Sequence, residues 1–260
     1  MKQLCHWLKA NKISLNSKKT ELIIFRSPYK KLDYDIKIKI NGTKLIPSDS
    51  VKYLGILIDP YLNWSHHMDS LCTKLSRAVG MLSKIRHYVN ENELRSIYFA
   101  IFNSLLSYCS IVWGQSNTKN LRRVQNIQNK ALRVINFASF KDDSDIFFSK
   151  SKMLKLSDHV KLQNFLLVHT SLSNNQQKNI QNLFHLQSDV HDVNTRGAKL
   201  NKLTLSKSRT QKYGIESITY RASADWNSMT CALSKEELHM KSTSVCKKII
   251  SNSFFQKYQI

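Results

Sequence analysis

The sequence predicts an α+β protein in which a small antiparallel sheet, within residues about 19–58, precedes a mostly helical remainder. Two observations support this class. Short apolar or alternating runs bounded by turn residues fall near the start, whereas apolar residues recur at three- and four-residue steps from Trp64 onward. The 260 residues, 42% of them apolar, can bury one sizeable core or two modest ones. We expect three parts, residues 1–60, 61–140 and 141–260.

Three strands are expected after a short N-terminal helix. KTELIIF (19–25) is an apolar run ended by Ser27-Pro28, and YDIKIKING (34–42) alternates isoleucine with lysine before Asn41-Gly42, which predicts a hairpin. VKYLGILI (51–58) is the third strand, and Gly55 in its middle permits the close approach of another backbone or a ligand. These strands are too few to cover both faces of a sheet, so open edges and poor solubility are expected.

Helical periodicity predicts a bundle after the strands. One helix follows Trp64, and a second, ENELRSIYFAIFNSLLSY (91–108), begins after Asn90 and is apolar on every side, so it should be buried. Further helices are predicted at 118–136 and near 154–172, 210–232 and 235–258. The tryptophans sit among apolar helical neighbours, which favours core packing over stacking on bases for Trp7, Trp64, Trp113 and Trp226.

Positive charge is spread along the whole chain. Forty Lys and Arg against eighteen Asp and Glu give +22, and every one of the three parts is basic. Such a field favours a long polyanion, usually nucleic acid. The helix over 118–136 carries Arg122, Asn126, Lys130 and Arg133 on one side, a spacing suited to one phosphate contact per turn. A solvated face that only keeps the helix in solution explains the same stripe equally well.

The sequence argues against several classes of protein. No run approaches the roughly 18 apolar residues of a membrane-spanning helix, and no secretory signal is visible, so we expect an intracellular protein, nuclear or cytoplasmic, with no membrane partner. The five cysteines are widely spaced and never form a CxxC pair, which is typical of a reducing compartment without a zinc site. Phosphate-binding glycine loops, a GxSxG elbow and an HExxH helix are absent from the sequence.

One acidic cluster resembles a catalytic metal site. SFKDDSDIFF (139–148) brings together Asp142, Asp143 and Asp145, as a two-metal nucleotidyl-transfer centre would require. Its flanks, however, are polar, whereas metal-binding carboxylates are fixed by rigid strands and by supporting hydrogen bonds. We interpret this run as a solvated interhelical loop that caps the following helix, and we assign no metal ligand to it.

Five stretches in a fixed order resemble the reverse transcriptases of non-long-terminal-repeat (non-LTR) retrotransposons, especially jockey-like elements. They are WLKANKISLNSKKTELIIF (7–25), VKYLGILIDPYLNWSHHM (51–68), LLSYCSIVWG (105–114), LRRVQNIQNKALRVI (121–135), and the pair NTRGAKL (194–200) and YRASADWNSM (220–229). The resemblance implies the end of a polymerase palm in residues 1–60, thumb-like helices over 61–140 and a C-terminal helical region over 141–260. It also implies RNA and DNA, as primer and template, for partners.

The resemblance gives roles to individual residues. Lys19 would face a phosphate, and YLGI would form the primer-grip hairpin, in which Gly55 leaves room for the primer backbone. The candidate nucleic-acid-binding residues are therefore Lys19, Tyr53, Leu54, Gly55, Arg122, Lys130 and Arg133.

The catalytic aspartates of the family precede the segment that corresponds to Trp7. We therefore expect a truncated RNA-directed DNA polymerase that grips primer and template but is inactive alone, because the carboxylates that would hold its metal ions are missing. No cofactor is expected on this chain; Mg²⁺ would belong only to a full-length polymerase that also carries the missing palm and fingers. Two alternatives stay open: a non-catalytic helical nucleic-acid-binding module, and a protein-interaction scaffold whose helix 97–113 needs a partner.

Overall fold

The computed structural model describes residues 2–16, 19–30, 38–40, 43–173, 176–190, 197, 200–230 and 242–258. Its contacts divide the chain into two compact units, Met1–Ser70 and Leu71–Ile260, which are taken in turn. Short antiparallel strands occur in the first unit, whereas the second is described as helical apart from one isolated antiparallel bridge between Leu186 and Leu203. The predicted α+β class is thus confirmed.

The described residues of the first unit form one helix and two short antiparallel strand pairs before α2 begins at Ser65. These elements are α1 (Lys2–Ala10), β1 (Lys39–Ile40), β2 (Thr43–Lys44), β3 (Val51–Tyr53) and β4 (Ile56–Ile58). β1 pairs with β2, and the opposition of Lys39 to Lys44 agrees with the hairpin predicted around residues 41–42. Those two residues, and residues 31–37 before them, lie outside the described part of the chain.

The prediction of a strand over residues 19–25 is wrong. Leu22 forms one isolated parallel bridge with Pro47, in which its carbonyl accepts a hydrogen bond from Ser48 N at 2.8 Å. Arg26 N donates instead to the carbonyl of Pro60 at 3.0 Å. Because Pro47 has no N–H to donate, the bridge does not extend into a ladder, and the apolar run forms no strand.

Residues 51–58, for which the sequence pattern predicts one strand and the resemblance implies a hairpin at YLGI, form a hairpin. β3 and β4 pair so that Tyr53 faces Ile56, and Leu54 and Gly55 form the two-residue turn between them. Both turn residues are left-handed, with φ of 46° and 85°, as a type I′ turn requires. Glycine adopts this conformation freely, whereas Leu54 adopts it at a cost of about 1–2 kcal/mol.

Asp59 organises the loop that leads into α2 (Ser65–Ile85). Its buried carboxylate accepts hydrogen bonds from the backbone N–H groups of Tyr61, Asn63 and Trp64, at 2.9–3.1 Å. Leu62 and Trp64 have left-handed backbones, with φ of 53° and 63°. Because such conformations are unfavourable for large residues, the carboxylate stabilises a loop that would otherwise relax.

Helices form the second unit, and they match most of the predicted segments. They are the remainder of α2, then α3 (Glu91–Ile97), α4 (Ser104–Ser107), α5 (Ser110–Trp113), α6 (Thr118–Ile135), α7 (Ser144–Lys150), α8 (Leu156–Leu172), α9 (Lys178–Gln181), α10 (Gln187–Val190), α11 (Ile218–Met229) and α12 (Thr243–Lys257). The described part of this unit also contains two π-helical segments, Tyr98–Asn103 and Gln211–Ile215. Within the described ranges, no helix combines the length and the apolar character needed to cross a membrane.

The helix predicted over residues 91–108 is α3, the π segment and α4 in succession. Asn90 caps it as predicted: its side chain accepts from Glu93 N at 3.0 Å, and the Glu93 carboxylate accepts from Asn90 N at 3.0 Å. Burial is restricted to one stripe, Leu94, Tyr98, Phe102 and Leu106. The prediction of burial on every side is wrong, because Phe99 and Tyr108 are 41% and 52% exposed.

The chain turns sharply after α4. Cys109 has a left-handed φ of 50°, and the carbonyl of Tyr108 accepts a hydrogen bond from Trp113 Nε1 at 2.8 Å. The indole therefore both fills the core and satisfies a backbone group at the break. Core packing is confirmed for Trp64, Trp113 and Trp226, whereas Trp7 on α1 is 56% exposed.

The main core of the second unit surrounds α8. Phe165 of α8 stacks on Trp226 of α11, with ring centroids 4.6 Å apart, and α12 packs against the same helix through buried side chains that include Cys246 and Phe254. Asn227, next to Trp226, holds the backbone of Leu203 with two hydrogen bonds. Its side chain donates to the carbonyl of Leu203 at 3.0 Å and accepts from Leu203 N at 2.7 Å. The Trp-Asn pair is thus structural here.

We predict that Asp59→Ala destabilises the protein by about 2–3 kcal/mol, because three backbone N–H groups lose their acceptor. Urea unfolding would measure the loss. Asp59→Asn is the matched control: it keeps one acceptor oxygen and should lose less than half as much. An alanine variant as stable as the parent protein would contradict the role of the carboxylate.

His159 of α8 gives the fold a specific pH dependence. Its Nε2 lies 3.1 Å from Ser110 Oγ, and burial, with a smaller contribution from the charge of Lys247, lowers the pKa of His159 from 6.5 to about 4. The unfolded chain therefore takes up this proton first, so stability is lost as pH falls from about 6.5 to 4.

We predict that His159→Gln, which cannot titrate, reduces this acid-induced loss by roughly 2 kcal/mol. Urea unfolding of both proteins at pH 7 and pH 4.5 gives the difference. An identical pH dependence in the two proteins would show that His159 is not the responsible group.

Candidate nucleic-acid interface

The predicted basic stripe lies on the outer face of α6. Arg122, Asn126 and Lys130 are all exposed, and positions four apart on a helix rise by about 6 Å. Arg122 and Lys130 make no hydrogen bond or ion pair with any residue that the structure describes. Two cations about 12 Å apart on a rigid helix are therefore available to an external anion.

Arg133, at the end of the stripe, has an internal role. Its Nε donates to the carbonyl of Asp142 at 2.9 Å, and its guanidinium lies 5.8 Å from the centroid of the Phe140 ring. These contacts fasten the loop after α6 to the last turn of that helix. Its remaining N–H groups can still donate to a phosphate, but the side chain is less free than those of Arg122 and Lys130.

The inner face of α6 is held by a buried amide as well as by apolar packing. Val124, Ala131 and Ile135 are buried as expected. Gln128 is also buried, which was not predicted. Its Nε2 donates to the carbonyl of Leu154 at 2.9 Å, and its Oε1 accepts from Leu156 N at 3.1 Å. The glutamine thereby fixes the start of α8 on α6, which orients the stripe.

Gln128 falls at an inward position of the α6 pattern. A polar residue at such a position is the feature of the sequence from which its buried role could have been predicted. The buried hydroxyl of Tyr98 lies near the same amide, with Gln128 Nε2 donating to it at 3.4 Å, and burial raises the pKa of Tyr98. A neutral phenol and a neutral amide satisfy each other without placing charge in the core.

The three clustered aspartates each have a local partner. Asp143 caps α7 by accepting from Asp145 N at 3.0 Å, which confirms the predicted capping loop. Asp142 accepts from Ser139 N at 2.6 Å, and Asp145 pairs with Lys155 Nζ at 2.7 Å. In the described part of the chain, no group of three or more His, Cys, Asp or Glu residues is placed to hold a metal ion.

The other predicted binding residues belong to the first unit. Tyr53 and Leu54 are 63% and 71% exposed at the tip of the β3–β4 hairpin, and Gly55 beside them is exposed as well. Lys19 is exposed, and its backbone N–H donates to the carbonyl of Asn16 at 3.1 Å. An exposed aromatic ring beside a glycine offers a stacking surface with an accessible backbone, which suits a nucleic-acid strand.

Comparison with known proteins gives three curated relatives. The chain is 29% identical over 137 residues to the "Probable RNA-directed DNA polymerase from transposon X-element" of Drosophila melanogaster, which is 50% of this chain and 14% of the relative. It is 26% identical over 141 residues to the "Retrovirus-related Pol polyprotein from type-1 retrotransposable element R1" of Bradysia coprophila, again 14% of the relative. The third is the "Probable RNA-directed DNA polymerase from transposon BS" of Drosophila melanogaster, 26% identical over 101 residues.

These matches cover 38–53% of this chain but only 11–14% of the relatives. No family model matches the chain. No solved structure matches it either. The three relatives are nevertheless all proteins of retrotransposable elements, and up to about half of this chain is similar to their RNA-directed DNA polymerase or Pol polyprotein sequences, the kind of protein that the stretches quoted above resemble.

Proposed function

We propose that this chain is the part of a retrotransposon reverse transcriptase that follows the catalytic aspartates, and that it binds primer and template through thumb-like helices. The observation that supports this most directly is the pair Arg122 and Lys130. Both are exposed on one helix and have no partner among the described residues, in a chain with a net charge of +22. Unpaired cations on a rigid element gain the most from binding phosphate.

Binding by this surface would be independent of base sequence. Arginine and lysine side chains contact phosphate oxygens, which position a strand without reading its bases. The β3–β4 tip would add a second contact, in which Tyr53 stacks on a base or sugar and Gly55 admits the backbone. Lys19 would contribute a further phosphate contact from the first unit.

We further propose that the residues described by the structure form no nucleotidyl-transfer centre. Metal ions in such a centre require convergent carboxylates with free oxygen atoms. Asp142, Asp143 and Asp145 instead serve a turn, a helix cap and an ion pair. Mg²⁺ would then belong to the aspartates of a full-length polymerase.

A specific observation supports a second candidate, a protein-interaction role for the 97–113 segment. Phe99, Tyr108 and Val112 are 41%, 52% and 40% exposed, although a helix in this position was expected to be covered. Exposed large apolar side chains along one segment are typical of a surface that meets another protein. A palm domain of the same polymerase is the partner that the resemblance suggests.

We predict that Arg122→Gln with Lys130→Gln weakens binding to an RNA–DNA primer–template duplex and lowers the slope of log affinity against log salt by about 2. The reason is that each phosphate contact contributes about 0.9 to that slope. Filter binding from 50 to 300 mM salt gives both quantities.

Lys178→Gln with Lys207→Gln is the matched control, because it removes the same charge from exposed positions outside the stripe. It should leave the slope nearly unchanged. Equal effects of the two double variants would mean that binding depends on net charge alone and would remove the stripe from the proposal.

We predict no primer extension on an RNA template with either Mg²⁺ or Mn²⁺. The measurement is incorporation of labelled nucleotide by the purified chain. Incorporation that is abolished by Asp142→Ala, in a variant that remains folded, would show that the acidic loop is catalytic after all.

A further inference from the structure

A small cavity in the second unit is lined by no residue of α6, so it is distinct from the stripe. It has a volume of about 200 Å³. Its walls come from the π segment Tyr98–Asn103, the connection between α7 and α8, α8 itself and α12. Pockets for drug-sized molecules occupy roughly 300–1,000 Å³, so this cavity suits a smaller chemical group.

The ionisable side chains of the cavity are basic, apart from that of Tyr98. Lys152, His159 and Lys247 line it, and none of its lining residues is an Asp or a Glu. Both lysines are exposed, which places them at its mouth, and neither forms an ion pair with a residue that the structure describes. Two lysines without a nearby carboxylate give the cavity a positive potential, which favours an anion.

His159 adds a polar group to the cavity but no charge at pH 7. Burial, followed by the charge of Lys247, lowers the pKa of His159 to about 4, and its Nε2 lies 3.1 Å from Ser110 Oγ. The effect of Lys247 on this pKa means that the two side chains are close enough for their charges to interact. The positive charge available to a ligand is therefore that of the two lysines.

Lys152 occupies a backbone position at which glycine is usual. It follows Ser151, the C-cap of α7, and has a left-handed φ of 49°. Met153 N donates to the carbonyl of Phe148 at 3.0 Å, the pattern that commonly ends a helix with a left-handed glycine. A lysine is less stable than glycine in this conformation. Strained residues of this kind cluster at binding sites, so a lysine here indicates a use for its side chain.

Polar and aromatic side chains complete the lining. Asn103 and Ser251 line the cavity, and neither side chain has a hydrogen-bond partner within the described ranges. Both can donate a hydrogen bond to an oxygen atom of a ligand. Phe99 and Phe255 supply aromatic surface, on which a sugar or a base can pack. One wall also belongs to a π-helical turn, a feature that is frequent at functional sites.

We propose that this cavity binds a phosphate monoester group, either at the end of a nucleic-acid strand or on a free nucleotide. A phosphate monoester carries about −1.5 to −2 charges at pH 7, which matches two lysines. A phosphate inside a strand carries only one charge. The small volume favours an end group over a continuous backbone for the same reason that it excludes a large ligand. Lys152 and Lys247 bind the phosphate oxygens, and Asn103 and Ser251 add hydrogen bonds.

This inference goes beyond the proposed function, because the stripe binds phosphates within a strand and the cavity binds a terminal one. Only the choice of a strand as the source of the phosphate rests on the proposed function. Phe99 lies both in the cavity and in the exposed 97–113 segment, so a protein bound to that segment would compete with the phosphate.

Two decamers of uridine labelled at the 3′ end, one with a 5′-phosphate and one with a 5′-hydroxyl, test the inference by fluorescence anisotropy with the full chain. The phosphorylated decamer should bind about 10-fold more tightly, as one more charge-assisted contact would give. Lys247→Gln should remove most of that preference. Lys248→Gln is the matched control, because the next residue of α12 is also an exposed lysine but does not line the cavity. It should keep the preference in full.

Lys152→Gly separates binding from folding. Glycine adopts the left-handed backbone without strain, so the midpoint of thermal unfolding should rise by about 2–4 °C. The preference for the 5′-phosphate should fall in the same variant, because the cation is lost. A rise in the midpoint with the preference unchanged would show that Lys152 takes no part in binding and would remove it from the site.

Displacement of the phosphorylated decamer by UMP, with uridine as the control, distinguishes the two sources of the phosphate. UMP that competes as well as the unlabelled phosphorylated decamer identifies a free nucleotide as sufficient. UMP that competes only at much higher concentrations identifies the end of a strand.

Equal binding of the two decamers by the parent protein would overturn the inference. So would a preference retained by Lys247→Gln that circular dichroism shows to be folded, or an equal loss in Lys248→Gln, since position in the cavity would then not matter. A phosphoserine peptide that binds more tightly than the phosphorylated decamer would assign the cavity to a protein ligand instead. None of these results affects the stripe, whose own test is the salt dependence of duplex binding by the Arg122 and Lys130 double variant.

Discussion

The second unit depends on the burial of α8, a helix whose buried residues are not confined to one face. Its buried positions include Leu156, Leu162, Phe165 and Val168, which point in several directions around the helix axis. Such a helix is stable only when neighbours cover it on more than one side. α6, α11 and α12 provide that cover, and the position of every candidate surface in the unit follows from their packing on this one element.

Within this arrangement the protein separates its charges from its buried polar groups. The excess of lysine and arginine is mostly on the outside, and the buried polar links between helices include neutral amides such as Gln115, Gln128 and Asn164. Burying an amide with its hydrogen bonds satisfied costs far less than burying an ion. A strongly basic chain can therefore bury polar groups without burying its cations, and exposed cations such as Arg122 and Lys130 remain available for an external polyanion.

Sequence periodicity was a good guide to the helices and a poor one to the strands. Long amphipathic segments such as α2 and α6 repeat their pattern over several turns, so their type and approximate limits could be predicted. The strands are two or three residues long, and the Pro47 bridge and the Leu54 turn depend on contacts or dihedral angles that a pattern does not encode. The hydrogen bond between the buried amides Gln115 and Asn164 could not be predicted for a related reason: an inward position can mark a buried amide, but its partner, 49 residues away, is not encoded in the local pattern.

The π segment Tyr98–Asn103 has a consequence for how this region tolerates change. Four-residue steps drift by about 40° each in a regular α-helix, so three of them would rotate Leu106 about 120° away from Leu94. The wider π turn absorbs this drift and keeps Leu94, Tyr98, Phe102 and Leu106 on one line. The number of residues between Leu94 and Leu106 is therefore constrained more tightly than their identities. Deletion of one residue would rotate every following side chain of the helix away from the core, whereas substitution of an exposed residue would not.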